Sequence, residues 1–117
     1  MSDFTIYHNP RCSKSRQTLE LLQAHGVEPE VVLYLEKPPT KKLLKELLKK
    51  LRISARELLR RGEEEYKSLN LADANLGDDE LLAAMIAHPK LIERPIVVRG
   101  ERACLGRPPE NVLELLN

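Results

Sequence analysis

The stretch Phe4-Thr5-Ile6-Tyr7-His8-Asn9-Pro10-Arg11-Cys12, continued by Ser13-Lys14-Ser15-Arg16-Gln17-Thr18-Leu19-Glu20-Leu21-Leu22, decides the fold because its apolar spacing changes once along its length. Phe4 to Tyr7 reads as a short buried strand. After His8-Asn9-Pro10-Arg11, Leu19, Leu21 and Leu22 fall into a helical register ending near Gly26. The unit is therefore strand, tight loop, helix. Glu30 to Leu35 (EVVLYL) follows Pro29 and is rich in β-branched residues, which predicts a second strand. It should run parallel to the first, because a helix of adequate length joins them.

Working outward, the character changes at Pro38-Pro39-Thr40. Thr40 can cap a Lys- and Leu-rich helix over 41–51, and Ser54-Ala55-Arg56-Glu57 matches a capping box opening another. Asp78 is expected to cap a helix over 79–88 that Pro89 stops. Strand chemistry returns in Pro95-Ile96-Val97-Val98 and in Arg102 to Leu105, separated by a turn at Gly100, so these form a hairpin. A last helix follows Pro108-Pro109, with Val112, Leu113, Leu115 and Leu116 as its apolar face. The order β-α-β, helical stretch, β-β-α implies an α/β fold: a mixed four-stranded sheet flanked by helices, with a helical insertion in the middle. No internal repeat or low-complexity linker interrupts it.

A chain of 117 residues with 42% hydrophobic and 32% charged residues suits one compact domain. Nineteen Lys and Arg against 18 Asp and Glu give a formal net charge of +1, too little to draw the chain generally toward nucleic acid or an anionic membrane. Neither is expected as a partner, and any anion site must be local. No signal-peptide pattern follows Met1, and no apolar run is long enough to span a bilayer. Cys12 and Cys104 form neither a C-x-x-C pair nor a metal-ligand cluster, so no metal site and no disulfide framework are expected. A reducing cytoplasm is the natural compartment. Nothing in the sequence demands more than a monomer.

Cys12 follows a Pro-containing loop and stands at or beside the first turn of the first helix. Unpaired backbone N–H groups and the positive end of the helix dipole there favour thiolate over thiol, and the thiolate is the nucleophile. Arg11 and Arg16 add positive charge, and a protonated His8 would push the same way. The same N–H groups can hold a tetrahedral oxyanion, so nucleophile and substrate site coincide. A lone cysteine is more often a small buried hydrophobe. Here Arg11, Ser13, Lys14, Ser15 and Arg16 make the surroundings polar, which argues against burial. A phosphatase loop separates Cys and Arg by five residues, and the corresponding place is Thr18, so that reading is weak. A dithiol oxidoreductase needs a second cysteine where this chain has Ser15. Reducing equivalents must then come from an external thiol or from Cys104, and Cys104 sits in an apolar strand pattern that reads as a packed core thiol.

Several ordered stretches together resemble a known family: Tyr7 to Cys12 with Ser15-Arg16, Tyr34-Leu35-Glu36 before Pro38-Pro39-Thr40, Arg56 to Arg60, His88-Pro89, Glu93 to Val98, and Gly106-Arg107-Pro108. They resemble the glutathione- and glutaredoxin-coupled arsenate reductases over essentially the whole chain. The resemblance implies a thioredoxin/glutaredoxin-like fold as a single domain over 1–117, made of a β-α-β half (1–37), a helical insertion (38–90) and a β-β-α half (91–117). It further implies that Cys12 attacks arsenate to give a thiol-arsenate adduct, that glutathione reduces this adduct, and that glutaredoxin resolves the mixed disulfide. Glutathione is then a co-substrate, and no cofactor is tightly bound.

By motif, the family's arginine triad falls on Arg60, Arg94 and Arg107. Three guanidiniums supply the forked donors that a tetrahedral oxyanion requires. Without the resemblance, Arg60 reads as a helix-end charge and the other two as solvated loop charges. Arg94 and Arg107 each precede a proline and flank the hairpin, where a rigid loop can aim a side chain inward. The resemblance also implies a cis Arg94-Pro95 peptide, with Pro95 a structural proline, and a thiol-activating role for His8, beside which a strand-end histidine hydrogen-bonding the loop backbone stays open. His25 and His88 are assigned no chemistry.

The family's arsenic-resistance members tend to carry Gly-Thr where this chain has Ser13-Lys14; Ser13 can still donate to an oxyanion, and Lys14 adds charge. Two further readings stay open on this ground. One is a related glutathione-dependent thiol oxidoreductase acting on mixed disulfides or another oxyanion. The other is a non-enzymatic regulator, against which Ser15 and the arginines argue.

Overall fold

The structure, a computed structural model, describes residues 3–116. The chain divides into two compact units, one built from the segments up to Lys37 and from Arg94 onward, the other from Pro38–Glu93.

The first unit contains β1 (Phe4–Tyr7), α1 (Ser13–Ala24), β2 (Glu30–Val32), β3 (Ile96–Arg99), β4 (Arg102–Leu105) and a closing 3-10 helix (Pro109–Leu116). The sheet is mixed and four-stranded, in the order β2-β1-β3-β4. β1 runs parallel to β2, with Ile6 opposite Val31, and antiparallel to β3, with Ile6 opposite Val97. β3 and β4 form the expected hairpin, turned at Gly100, whose φ of +60° glycine adopts without steric cost. Alternation along β1 puts Phe4 and Ile6 on one face, where they join Leu22, Val97, Val112 and Leu115 in one core cluster. The Arg99 guanidinium lies 4.9 Å from the centre of the Phe4 ring and donates to Leu115 O at 2.6 Å, tying the end of the chain to the sheet.

Two elements depart from expectation. The second strand stops at Val32 rather than Leu35. Leu33 O accepts from both Glu36 N and Lys37 N at 3.0 Å, which curls the chain into a turn that buries Tyr34. The apolar run there fills a buried turn instead of lengthening a strand. The last helix is 3-10 rather than α. Pro109, Val112 and Leu115 recur at a spacing of three and are its buried residues, and a 3-10 helix stacks that spacing on one ridge.

The second unit begins with α2 (Lys41–Leu51), where Thr40 Oγ1 accepts from Leu43 N at 3.1 Å. The capping box at Ser54 is present. Ser54 Oγ accepts from Glu57 N at 3.2 Å, and Glu57 Oε1 accepts from Ser54 N at 3.0 Å. The helix it opens, α3 (Ala55–Leu58), is a single turn. A short α4 (Glu64–Ser68), which the sequence did not predict, has no buried residue and hence no apolar period to betray it. α5 (Asp78–Ala87) is capped by Gly77 and not by Asp78, which is instead the first of three acidic residues in the opening turn. There the carboxylates face the positive end of the helix dipole. Pro89 opens a 3-10 turn (Pro89–Leu91) just past the helix end, so the expected stop holds. α5 packs against α2 and α3, with Leu44, Leu58, Leu81, Leu82, Met85 and Leu91 fully buried.

Among the described residues, no helix is long and apolar enough to cross a membrane.

Candidate active site

Cys12 is the N-cap of α1, with φ −95° and ψ 122°, and it is half-buried. The preceding loop is a built turn. Asn9 Oδ1 accepts from Arg11 N at 3.0 Å, and Asn9 O accepts from Cys12 N at 3.0 Å. Cys12 closes no side-chain cap hydrogen bond, so the N–H groups of Ser15 and Lys14 bear on Sγ as oriented dipoles. Burial by itself pushes the thiol pKa up, and it is the largest single influence. The Ser15 N–H, the hydrogen bond and charge of Arg94, and the Lys14 N–H together outweigh it and leave the pKa below that of an ordinary cysteine.

Arg94 is thus brought to Cys12, and Arg107 is brought to Arg94. The Arg107 side chain is exposed, and its Nη1 donates to Arg94 O at 3.5 Å. The peptides Arg94-Pro95 and Arg107-Pro108 are both cis, the second unforeseen. Arg60 belongs to the second unit. There its Nη1 donates to Glu93 Oε1 at 3.3 Å, its Nε lies 3.9 Å from Glu63 Oε2, and its N–H donates to Leu91 O at 2.7 Å.

The condition under which His8 would add positive charge, that it be protonated, is not met at neutral pH. His8 is buried, and burial, then the neighbouring charge of Arg16, lowers its pKa from 6.5, so the ring is neutral at pH 7. Its Nδ1 lies 2.6 Å from Ser15 Oγ, which also accepts from Asn9 N at 3.0 Å. The assignment that satisfies every group has the Ser15 hydroxyl donating to an unprotonated Nδ1. Ser15, fully buried, fastens the loop through its hydroxyl, and only its backbone N–H serves the thiolate. Arg16 is also tied to the loop. Its Nη1 donates to Pro10 O at 2.8 Å, and its charge acts on His8. Arg11 and Ser13 are exposed, as is Lys14.

Thr18, Gly106 and Asn9 also build this site and were not singled out from the sequence. Thr18 Oγ1 lies 2.7 Å from Lys14 O and 3.4 Å from Gly106 O on a fully buried face of α1. Gly106 N donates to Pro95 O at 2.9 Å. A Cβ on Gly106 would stand 2.5 Å from Thr18 Oγ1 and 2.7 Å from Pro95 Cγ. Only glycine lets the Pro95 loop lie this close to α1, and that approach carries Arg94 to the thiol. The Asn9-Pro10 pair was a legible turn signal. Gly106 gave none beyond its place in the Gly-Arg-Pro stretch.

Cys104 is a half-buried thiol packed against the core cluster. Its S–H donates to Asn111 O at 3.6 Å, and burial with the nearby Glu114 carboxylate pushes its pKa up to about 12. It stays a thiol at any ordinary pH, which suits packing rather than redox chemistry.

Comparison with known proteins agrees with this geometry. Residues 7–115 match the model of the ArsC family. The Escherichia coli K12 protein YfgD is 61% identical over 112 residues, covering 95% of this chain and 94% of that protein. An arsenate reductase of the same strain is 50% identical over 118 residues, covering 99% of this chain and 82% of the longer enzyme. A solved structure of an arsenate reductase from Vibrio cholerae superposes with a TM-score of 0.93 at 55% identity, covering 95% of each chain. A sheet in the order β2-β1-β3-β4, an activated cysteine capping the first helix and these matches lead to one assignment: the chain belongs to the ArsC family.

Proposed function

We propose that this chain is an arsenate reductase whose nucleophile is the Cys12 thiolate. Sγ attacks arsenic, an S–As bond forms, and one arsenate oxygen leaves as water. Glutathione supplies the second thiol. Arsenic gains two electrons and departs as arsenite, while Cys12 and glutathione are left joined by a disulfide. Glutaredoxin then exchanges with that disulfide and returns Cys12 to the thiol.

The observation that carries this reading is the convergence of the Ser15 and Lys14 N–H groups and the Arg94 guanidinium on one sulfur. Donors that stabilise a thiolate face the oxygens of the adduct once the S–As bond has formed. Arg107, which holds the Arg94 carbonyl, extends the proposed arginine set; Arg60 is a candidate member by family resemblance alone, and within its own unit it is paired with Glu63 and Glu93. The relatives named arsenate reductase support the choice of substrate. The neutral His8 acts by fixing Ser15 and so the first turn of α1, not by its charge. Cys104, held as a thiol, leaves an external thiol as the reductant.

The test is arsenite formation from arsenate, glutathione and glutaredoxin, with Cys12→Ser as control; equal rates for the two proteins would refute it. A second reading is favoured by the exposed Ser13-Lys14 pair that follows the nucleophile. In it, the same thiolate acts on glutathione mixed disulfides or another oxyanion. Removal of glutathione from a mixed disulfide without arsenate turnover selects that reading.

A further inference from the structure

β1 and β2 are parallel neighbours, with Tyr7 opposite Val32, and His8 N donates to Val32 O at 2.9 Å as the last rung between them. Beyond that rung the two chains part. One enters the Asn9-Pro10-Arg11 turn and the other the Leu33 to Glu36 turn, and a cleft of about 310 Å³ opens between them, lined by these residues. It lies outside the carboxyl ends of parallel strands, where α/β sheets characteristically bind ligands, and its volume is at the small-ligand end of the usual range. One wall is the turn whose Asn9 carbonyl holds Cys12 N, so the cleft adjoins the nucleophile through its own loop.

The chemistry of the walls is divided. Leu33 and Leu35 are half-buried and give an apolar side. Arg11 and Glu36 are exposed charges of opposite sign, on different turns, and each faces the same cleft. The backbone that carries each is held in a turn: Leu33 O accepts from Glu36 N at 3.0 Å, and Asn9 Oδ1 accepts from Arg11 N at 3.0 Å. A cation and an anion carried on two hydrogen-bonded turns, across a cleft with an apolar wall, match a zwitterionic amino-acid head carried on a short chain. We infer that this cleft docks the γ-glutamyl end of glutathione, its α-carboxylate toward Arg11 and its α-ammonium toward Glu36, with the thiol end delivered to Cys12. The identity of the ligand rests on the proposed reaction; the complementarity of the cleft does not.

S-methylglutathione, which cannot react, tests the docking apart from the chemistry. Titrated into the whole protein and followed by backbone amide NMR, it should shift the amides of Asn9, Arg11, Leu33, Leu35 and Glu36. Glu36→Lys should weaken that binding at least tenfold, Glu36→Gln and Arg11→Gln should each weaken it less, and Glu36→Lys should raise the KM for glutathione while leaving the Cys12 titration in place. The inference is overturned by an absence of binding, by shifts centred on Arg94, Ile96 and Gly106 instead, or by unchanged affinity in Glu36→Lys. Binding in the cleft without arsenate turnover would refute the proposed reaction and leave the docking site standing.

Discussion

Arg94→Ala isolates the part of thiol activation that comes from a distant strand end and not from the helix. In the folded protein the Arg94 guanidinium both hydrogen-bonds to Cys12 and acts on it by charge. A hydrogen bond to a charged group contributes about 1.5–3 kcal/mol when shielded from solvent. Cys12 is only half-buried, so solvent screening reduces this to about 1 kcal/mol. Because 1.4 kcal/mol is about a factor of ten, the thiolate fraction at a pH below the wild-type midpoint should fall roughly fivefold. The assay is the rate of alkylation by iodoacetamide across pH, with thiolate absorbance as a second readout. Cys104, pushed up to about 12, remains protonated and silent over the accessible range, so both signals belong to Cys12. The difference should shrink in high salt, since part of it is Coulombic. An alkylation profile identical in Arg94→Ala and wild type would refute the assignment of Arg94 to the thiol.

Gly106→Ala should destabilise the protein by about 1–3 kcal/mol in urea titration, since its Cβ would stand 2.5 Å from Thr18 Oγ1 and 2.7 Å from Pro95 Cγ, and it should also slow Cys12 alkylation by moving the Pro95 loop off α1. His8 binds its proton less readily folded than unfolded, so the unfolded state takes up protons first as pH falls. Stability is therefore full above pH 6.5 and declines below it toward the folded midpoint, and comparing wild type with His8→Gln by denaturant titration at several pH values should show that decline only in the wild type. Ser54→Ala removes the hydroxyl that accepts from Glu57 N and should cost about 1 kcal/mol, seen as a lower urea midpoint with an unchanged slope.

Much of this molecule was legible because its signals are local. Thr40, the Ser54 capping box and Gly100 each announce a backbone event through their own chemistry, and the structure places those events there. The failures share a different cause. The strand ending at Val32 was overextended because Leu33 and Leu35 are apolar for the sake of a turn and a cleft. The closing helix was mistaken in type because Val112 and Leu115 satisfy both an α and a 3-10 period, and only their alignment with Pro109 separates the two. At the site, Cys12 was readable because position alone makes an N-cap thiol unusual. The bonding of His8 and Arg16 was not, because both residues turn toward the loop that carries the cysteine, and charge counted along a sequence does not say where a side chain bends. Gly106 was hidden for the same reason, since its reason for being glycine lies in Thr18, 88 residues away.

The most direct measurement is peptide mass spectrometry on the whole protein after incubation with arsenate and glutathione in the absence of glutaredoxin. The expected result is glutathione in disulfide linkage on the peptide containing Cys12, formed only when arsenate is present, with Cys104 unmodified. An unmodified protein, an adduct on Cys104, or one on Cys12 that forms equally without arsenate would contradict the proposed reaction.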